Sequence, residues 1–298
     1  MAIPNFFIVG GSKCGTTTMY ELLARHPEIF MPRWKEPHFF GSDLRSRPGI
    51  SKDDYLALFA RARRKKKRVG EASTGYLYSK RAAAEIKEFN AFARPIIMLR
   101  NPVDVLYSLH SQHVYDGRED IQDFAAALAA DAYRKAGTGS PSPLGRIEHL
   151  FYREVVGYTE QTRRYLDVFG RENVMIIIFD DFARDTAGVY RETLCFLGVS
   201  PDFRPHLAIA NPNKSFRSES FRGFLQRPPS VVRTLTHALM PRGLRQVLYV
   251  GLRRLNTSYK PRPPMEPELK KRLKSEFAPE VQQLSQLLGR DLSHWCNS

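Results

Sequence analysis

The chain begins with an apolar run that leads into a glycine-rich turn and a run of threonines. The stretch is Phe6-Phe7-Ile8-Val9-Gly10-Gly11-Ser12-Lys13-Cys14-Gly15-Thr16-Thr17-Thr18. An uninterrupted apolar run is typical of a buried parallel strand, and residues 16–25 have the pattern of a helix. Small residues let the backbone turn tightly, and the free N–H groups at a helix start attract anions. The stretch therefore predicts a strand, a phosphate-binding loop and a helix; a plain glycine turn is the alternative.

The lysine of this loop stands before its last glycine. A Walker A loop has the pattern G-x-x-x-x-G-K-[ST], in which the lysine follows the second glycine. Here Lys13 precedes Gly15. The next strong strand ends in Arg100, where many nucleotide hydrolases place a metal-binding aspartate. These differences disfavour a magnesium-dependent kinase and predict transfer of an anionic group without an obligatory metal.

Apolar runs alternate with helical segments over the first 200 residues. Strands are predicted at 4–10, 68–72, 95–99 and 173–179, and helices at 16–25, 82–92, 103–114, 146–169, 192–197 and 267–288. Strands joined by helical crossovers predict an α/β, P-loop-like three-layer fold with a central parallel sheet flanked by helices. No strand is predicted beyond residue 200, and residues 205–264 are rich in Pro, Arg and Asn. We expect one domain over residues 1–298.

A second anion-binding pattern follows the strand at 95–99. Arg100 comes directly after this strand, Pro102 begins the next helix, and Ser108 lies two turns further on. An arginine at the carboxyl end of a parallel strand faces the ligand crevice of such a sheet. Its guanidinium can bind a phosphate through two hydrogen bonds. A surface salt bridge is the alternative for Arg100.

The composition is that of an ordinary globular protein. The 298 residues are 42% hydrophobic and 26% charged, with a net charge of +15. No run approaches the ~18 apolar residues of a membrane span, and the first residues lack the features of a signal peptide. The three cysteines, Cys14, Cys195 and Cys296, are too scattered for a disulfide framework or a zinc site. We therefore expect a reducing, cytoplasmic compartment.

The positive charge is concentrated in two segments. Residues 61–68 contain seven basic residues, and residues 214–262 contain eleven with one acid, so the rest of the chain is slightly acidic. The first run has no interleaved aromatic residue, and no specific nucleic-acid partner is expected. A solvated face, recruitment of an anionic acceptor and a peripheral membrane contact remain open for these segments. The sequence does not predict an oligomeric state.

The two anion-binding patterns together resemble those of the sulfotransferases that use 3′-phosphoadenosine 5′-phosphosulfate (PAPS). Lys13-x-Gly15-Thr16-Thr17 is similar to the family's 5′-phosphosulfate loop, and Leu99-Arg100-Asn101-Pro102 with Ser108 is similar to its 3′-phosphate site. The resemblance implies PAPS as donor, 3′-phosphoadenosine 5′-phosphate (PAP) as product and no metal. It implies that the donor is bound by Ser12, Lys13, Cys14, Gly15, Thr16, Thr17, Thr18, Arg100, Ser108, Lys260 and Arg262.

The last two of these residues belong to Tyr259-Lys260-Pro261-Arg262, which is similar to a loop that closes over the donor in the family. Residues 205–264 are therefore expected to cover donor and acceptor within a single sulfotransferase domain.

Lys35-Glu36-Pro37-His38-Phe39-Phe40 resembles a segment of the heparan-sulfate-type members, in which the Glu is the acceptor base. Sulfuryl transfer to an alcohol or amine requires removal of a proton, and a carboxylate near the loop can take it. Glu36 is the favoured base, and His38 is the rival, as in the cytosolic branch of the family. Lys13 would neutralise charge on the departing phosphate. A surface salt bridge with Lys35 is the alternative for Glu36.

The resulting hypothesis is an enzyme that moves the sulfuryl group of PAPS, by in-line transfer, to a hydroxyl or amine. The acceptor would be a carbohydrate, a lipid or a small molecule. The alternative is a non-catalytic nucleotide- or nucleic-acid-binding protein that uses its basic surface, whose binding would weaken steeply with salt.

Overall fold

The structure, a computed structural model, describes residues 2–44, 49–62, 66–136, 150–205, 214–216, 229, 240, 248, 251–252, 255–259 and 262–297. Its centre is a parallel sheet of five strands: β1 (Phe6–Gly10), β2 (Ile29–Phe30), β3 (Arg68–Ala72), β4 (Arg94–Leu99) and β5 (Met175–Ile178). Their order is β2-β3-β1-β4-β5. Every residue of β1 is buried, as its apolar run predicts for the central strand.

Helices flank this sheet. They are α1 (Thr16–Arg25), α2 (Lys52–Ala57), α3 (Gly75–Tyr78), α4 (Ala82–Phe89), α5 (Pro102–Asp116), α6 (Phe124–Lys135), α7 (Tyr152–Val155), α8 (Tyr158–Phe169), α9 (Phe179–Arg184), α10 (Thr186–Leu197) and α11 (Pro267–Leu288). Short 3₁₀ turns follow at Arg171–Asn173 and Ser293–Trp295. The predicted α/β fold with a central parallel sheet is confirmed. No described helix is long and apolar enough to cross a membrane.

The strand order reverses direction at β1. After β1 the chain forms β2 and β3 on one side of that strand, and then β4 and β5 on the other side. In open α/β sheets the crevice outside the carboxyl ends of the strands at such a reversal is where ligands bind. The glycine-rich loop leaves β1 at this edge, and Arg100 leaves β4 at the same edge. We call it the upper edge of the sheet.

The helix predicted at 146–169 is interrupted. Residues 146–149 lie outside the described residues, and the rest forms α7 and α8, separated at Val156 and Gly157. Glycine is a poor helix former, which weakens a continuous helix at this point. The N-terminus of α8 also has its own partner, because the Glu280 carboxylate accepts the Thr159 N–H at 2.7 Å. The prediction of one long helix was wrong for this reason.

A short antiparallel pair lies beyond residue 200, where no strand was predicted. It consists of β6 (Lys214–Phe216) and β7 (Thr257–Tyr259). Strands of three residues are too short to show a hydrophobic period, so the sequence pattern missed them. The Tyr115 hydroxyl lies 2.7 Å from the Thr257 hydroxyl and joins β7 to α5. Residues 231–255, for which the sequence pattern predicts a helical amphipathic stretch, lie largely outside the described residues.

The C-terminal segment returns to the upper edge of the sheet. Helix α11 ends at Gly289, whose left-handed φ of 64° is the conformation expected of a glycine that ends a helix. The buried Trp295 then donates from its indole N–H to Asp180, at 2.6 Å, and accepts at its carbonyl from the Asn101 side chain, at 3.0 Å. The segment therefore holds Asn101, which follows β4, and Asp180, which follows β5, through hydrogen bonds to Trp295.

Candidate active site

The loop after β1 depends on two glycines. Gly10 has a φ of 148°, and a Cβ there would lie 2.7 Å from Leu77 Cβ and 2.8 Å from the Thr74 carbonyl. Gly15 has a φ of 88°, and a Cβ there would meet the Phe179 ring at 3.2 Å. Side chains are thus excluded at both positions, and the backbone approaches its neighbours closely. This is the local reason for the glycine-rich pattern.

The loop ends in a helix terminus suited to an anion. Gly15 is the N-cap of α1 and, among the described residues, no side chain caps this terminus and no acid lies in its first turn. The first N–H groups of a helix have no partner within the helix, and the helix dipole adds positive potential. Lys13 adds a full charge, and its Nζ lies 3.4 Å from Gln112 Oε1 on α5. The residues present therefore fit a phosphate-bearing group.

The predicted loop residues differ in their exposure. Ser12, Lys13, Gly15, Thr17 and Thr18 are partly exposed, whereas Cys14 and Thr16 are buried.

The Cys14 thiol points into the core, with its Sγ 3.9 Å from the Tyr158 hydroxyl. Burial raises the pKa of this thiol to about 12, so it stays protonated. Any contact of Cys14 with a ligand would use its backbone.

Two arginines converge at the start of α5. The Arg100 guanidinium lies 4.5 Å from the Phe179 ring centroid and forms an ion pair with Asp104 at 3.5 Å. The Arg262 guanidinium lies 4.9 Å from the Tyr107 ring centroid. Burial lowers the pKa of Arg262, and the nearby positive charge of Arg100 acts in the same direction. A multiply charged anion bound here would relieve that repulsion.

Ser108 lies buried on α5, one residue beyond Tyr107. Four residues were predicted to bind the 3′-phosphate: Arg100, Ser108, Lys260 and Arg262. The structure describes all of them except Lys260. Three of the four residues predicted for this second anion site, counting Arg100 and Arg262, are thus placed on or next to the first turns of α5.

The segment that carries Glu36 lies on the end of β3, next to the phosphate loop. The Glu36 N–H donates to the Ala72 carbonyl at 2.9 Å. The Thr74 hydroxyl donates to Glu36 Oε1 at 3.4 Å, and the Thr74 carbonyl is the group that approaches Gly10. Thr74 therefore contacts both segments, and the candidate base and the candidate phosphate loop are neighbours in space although 20 residues separate Thr16 from Glu36.

The Glu36 carboxylate lies between the side chains of Lys35 and His38. Lys35 Nζ is 2.7 Å from Oε1, and His38 Nε2 is 3.4 Å from Oε2. Burial opposes ionisation of Glu36, but the hydrogen bond with His38 and the charge of Lys35 outweigh it and hold the pKa of Glu36 well below its usual range. The carboxylate is therefore ionised at neutral pH, and 36% of its side chain remains exposed. The salt bridge considered as an alternative is present, and it leaves the carboxylate accessible.

Several residues that shape this edge were missed from the sequence. They are Thr74, Gln112, Tyr107 and Phe179, which contact the side chain or backbone of Glu36, Lys13, Arg262 and Arg100 respectively. Phe179 follows the most strand-like run in the chain, so its place at the carboxyl edge could have been inferred. The partners on α5 and after β3 depend on packing between distant segments and leave no local pattern.

The arrangement combines cations with one carboxylate at a single edge. Lys13, Arg100 and Arg262 supply positive charge, and Glu36, on the segment that lies over the end of β3, supplies an ionised carboxylate. Among the described residues no cluster of three or more His, Cys, Asp or Glu side chains is placed to hold a metal ion. Fold and site together define an α/β protein with a candidate phosphate-binding loop after its central strand and an ionised carboxylate on a neighbouring segment.

The comparison with protein families makes this class more specific. The model of the sulfotransferase domain matches residues 4–221, which is more than half of the chain. The chain therefore belongs to the sulfotransferase family, in which PAPS is the sulfuryl donor, and the expectation from the residue patterns is confirmed. A crystal structure of a sulfotransferase from Alicyclobacillus acidocaldarius is 33% identical, with full coverage of both chains and a TM-score of 0.73.

Two mammalian enzymes are also similar. Human carbohydrate sulfotransferase 15 is 33% identical over 252 residues, which cover 67% of this chain and 44% of that protein. Mouse bifunctional heparan sulfate N-deacetylase/N-sulfotransferase 4 is 27% identical over 240 residues, which cover 74% of this chain and 25% of that protein. The chain thus spans less than half the length of these relatives.

Proposed function

We propose that this protein transfers the sulfuryl group of PAPS to a hydroxyl or amine of a carbohydrate. The observation that carries the proposal is the contact of Thr74 with both segments of the site. It supports a position for the ionised Glu36 carboxylate close to the start of the loop that carries Lys13 and leads to the N-terminus of α1. A base and a cationic phosphate loop at one edge are the two parts that this transfer requires.

The donor-binding residues divide into two groups. PAPS supplies an activated sulfuryl group on its 5′-phosphate and carries a second phosphate at the 3′ position. Lys13, Gly15 and the threonines Thr16 to Thr18 form the group at the start of α1, with Ser12 and the Cys14 backbone beside them. Arg100, Ser108 and Arg262 form the group on or next to α5 and are assigned to the 3′-phosphate, together with Lys260. The converging arginine charges support this assignment.

Glu36 is assigned as the base. It takes the proton from the acceptor O–H or N–H as the new bond to sulfur forms, and the bond between sulfur and the bridging oxygen breaks with its electron pair going to the phosphate. Lys13 neutralises the charge that develops on that oxygen, as positive groups do in phosphoryl transfer. His38 and Lys35 keep Glu36 ionised.

A carbohydrate acceptor is supported by two observations. The two mammalian relatives are a carbohydrate sulfotransferase and a heparan sulfate N-deacetylase/N-sulfotransferase. In this chain Trp34, two residues before Glu36, is 50% exposed. An exposed aromatic ring offers an apolar face on which the C–H groups of a sugar ring can pack. Lipid and other small-molecule acceptors are the competing outcomes of the test.

Donor binding is tested by calorimetric titration with PAP and with AMP. The proposal expects PAP to bind at least tenfold more tightly than AMP, because hydrogen bonds to a charged group are worth about 1.5–3 kcal/mol. Arg100→Ala should remove most of this preference, whereas Arg184→Ala, an exposed arginine on α9, should leave it unchanged. Absence of PAP binding, or equal affinity for AMP, would overturn the proposal.

The acceptor is tested with ³⁵S-labelled PAPS and a defined panel of chondroitin, N-desulfated heparan sulfate, cholesterol and 4-nitrophenol. Label in either polysaccharide is the expected result, and Trp34→Ala should raise the KM for that polysaccharide severalfold with PAP affinity unchanged. Label only in cholesterol or 4-nitrophenol would replace the carbohydrate with a lipid or small-molecule acceptor.

Residues 1–298 are proposed to act as one domain, because the segment beyond the matched region braces Asn101 and Asp180. A cytoplasmic location stays a prediction, supported by three free cysteines, of which only Cys14 is fully buried.

A further inference from the structure

The carboxylate of Glu71 is buried beneath the segment that carries Glu36 and His38. Glu71 lies near the end of β3 with no exposed surface. A buried carboxylate must have hydrogen-bond donors, and Glu71 has three. The Ser73 hydroxyl donates to Oε1 at 2.5 Å, and the Tyr55 and Tyr76 hydroxyls donate to Oε2 at 2.8 Å and 3.1 Å. The proposed reaction gives this group no role.

Two of these hydroxyls also hold the backbone of the segment above. The Ser73 oxygen accepts the His38 N–H at 3.1 Å. The Tyr76 oxygen accepts the N–H groups of Phe39 and Phe40 at 2.9 Å and 3.3 Å. Three consecutive amides therefore donate to hydroxyls that in turn donate to Glu71. The Tyr55 hydroxyl, by contrast, bonds to Glu71 without contacting these amides.

The segment needs such a support. Glu36 and His38 both have left-handed backbones, with φ values of 61° and 48°. Residues with a Cβ adopt this conformation at a cost, so the surroundings must impose it. The amide bonds at 38–40 begin two residues after Glu36 and include His38 itself. They are therefore placed to fix the direction of both side chains.

We propose that Glu71 is a positioning residue, which holds the Glu36–His38 turn in its reactive conformation through the hydroxyls of Ser73 and Tyr76. The inference rests on the proposed role of Glu36 as the base. An ionised carboxylate accepts all three hydroxyl protons and needs nothing further, whereas a protonated one carries an O–H that needs an acceptor of its own. Tyr76 already accepts two amides, so a donor at position 71 would displace one of them.

The charge state of Glu71 makes these hydrogen bonds dependent on pH. Burial raises the pKa of Glu71 to about 7, although the bonds from Ser73, Tyr55 and Tyr76 and the charge of His38 act in the opposite direction. These four groups come from the end of β3, α2, α3 and the segment above, and the Tyr165 hydroxyl of α8 also interacts electrostatically with Glu71. The hydrogen bonds that link Glu71 through Ser73 and Tyr76 to the amides of residues 38–40 are thus complete above neutral pH. They weaken as the Glu71 carboxyl takes up a proton.

The test compares Glu71→Gln and Tyr76→Phe with Tyr55→Phe as the matched control. The first two variants break the link to the amides, and Tyr55→Phe removes an equivalent hydroxyl that does not touch them. We expect the first two to lower kcat at least tenfold, with the acceptor KM and the PAP dissociation constant within threefold of wild type. Tyr55→Phe should keep kcat within twofold. The acceptor is chondroitin or N-desulfated heparan sulfate, whichever the wild-type protein sulfates.

Hydrogen exchange supplies a readout that needs no activity. Amide exchange in the peptide spanning 36–41 should be at least tenfold faster in Glu71→Gln and Tyr76→Phe, and unchanged in Tyr55→Phe. Wild-type exchange and kcat in Glu71→Gln would overturn the proposal, as would an equal loss in Tyr55→Phe and Tyr76→Phe. If the wild-type protein neither binds PAP nor transfers sulfate, the proposed function fails, and the exchange comparison still decides the positioning role.

Discussion

At the scale of single residues, backbone strain is concentrated at the candidate site. Among the described residues the non-glycine positions with positive φ are Lys13, Glu36 and His38. Each left-handed residue with a Cβ costs about 1–2 kcal/mol. All three were singled out from the sequence as catalytic candidates, from the loop pattern and the family resemblance, and backbone conformation played no part in that choice. Their shared left-handed conformation indicates that the surrounding contacts hold these three side chains in fixed directions.

Removal of the lysine charge provides the first prediction. Lys13→Ala should lower kcat about 100- to 1,000-fold, since one group that stabilises developing charge is worth about 2.7–4 kcal/mol. Binding of PAP, measured by calorimetry, should weaken much less, because the α1 N-terminus remains. Lys271→Ala, an exposed lysine on α11, is the control. A Lys13→Ala variant within threefold of wild type would remove Lys13 from the reaction.

The choice between the two candidate bases is the second prediction. Glu36→Gln should lower kcat by about 10²–10⁴-fold, the usual contribution of a general base. His38→Asn should lower it less, because His38 acts on the carboxylate rather than on the acceptor. In wild type, protonation of Glu36 should reduce the rate only well below pH 4.5, since its pKa is depressed. A larger loss in His38→Asn than in Glu36→Gln, in steady-state assays, would make His38 the base.

Local patterns predict some of these residues and miss others for a physical reason. Lys13 and Glu36 stand in short segments whose residue types predict a phosphate-binding loop and a general base, respectively. The contact of Lys13 with Gln112 joins positions 99 residues apart, and the bonds of Glu71 reach its hydroxyl partners only after α2 and α3 have packed. Such contacts are set by tertiary packing, which one sequence does not display.

At the scale of elements, caps and apolar runs explain where prediction succeeds. Helices α1 and α11 begin and end at the predicted residues, because glycine at 15 and 289 and proline at 267 mark their boundaries. The apolar runs locate β1, β4 and β5 to within two residues. Strand β2, with two residues, is too short to show an apolar run and was missed. Helix α6 was missed although Asp123 caps its N-terminus, because its buried face includes the charged Asp131 and Arg134 and therefore does not stand out as apolar.

The C-terminal segment provides the third prediction. Trp295→Ala should lower the free energy of unfolding by about 3–5 kcal/mol, the usual cost of truncating a buried tryptophan. It should also weaken PAP binding, because the segment bonds to Asn101 and Asp180, and Asn101 is next to Arg100, one of the residues proposed to bind the 3′-phosphate. Urea unfolding and calorimetry measure the two effects. His294→Ala, an exposed neighbour that also bonds to Asp180, is the milder control. Unchanged PAP affinity in a folded Trp295→Ala would limit the segment to a structural role.

At the scale of the whole molecule, Glu71 links pH to stability. Its pKa is near 4.5 in the unfolded chain and about 7 in the folded protein, so its contribution is present below pH 4.5 and is lost as the pH rises to 7. The loss is about 3 kcal/mol, at about 1.4 kcal/mol per pH unit. Glu36, with its lowered pKa, acts oppositely and only below pH 4.5.

Urea unfolding at pH 5 and pH 7.5 tests this linkage as the fourth prediction. Between these values the wild-type free energy of unfolding should decrease relative to that of Glu71→Gln, whose side chain at this position has no proton to lose. Other titrating groups are shared by both proteins and cancel in the difference. Parallel pH dependence of the two proteins would show that Glu71 is ionised throughout this range.

Part of the net charge of +15 lies at the lower edge of the sheet, which is the edge at the amino ends of the strands, opposite to the upper edge. The basic run at 61–68 leads into the start of β3, at the end opposite to the site, and a five-residue strand separates the edges by about 16 Å. Lys66 Nζ donates to the Pro27 carbonyl at 2.7 Å, and Arg68 donates to the Leu197 carbonyl. These cations lie at the C-terminal ends of α1 and α10, where the helix dipole favours positive charge.

The fifth prediction follows from that position. Lys66→Ala/Lys67→Ala should leave kcat and the acceptor KM within twofold of wild type, and should lower the free energy of unfolding by about 1 kcal/mol, because the Lys66 bond and the Lys67–Glu28 ion pair are lost. Lys271→Ala/Arg272→Ala removes the same charge from α11 and controls for long-range electrostatics. If acceptor KM rises fivefold or more in the first pair alone, with PAP affinity unchanged, the lower edge recruits the acceptor. Such a result would require a polysaccharide long enough to reach from one edge of the sheet to the other.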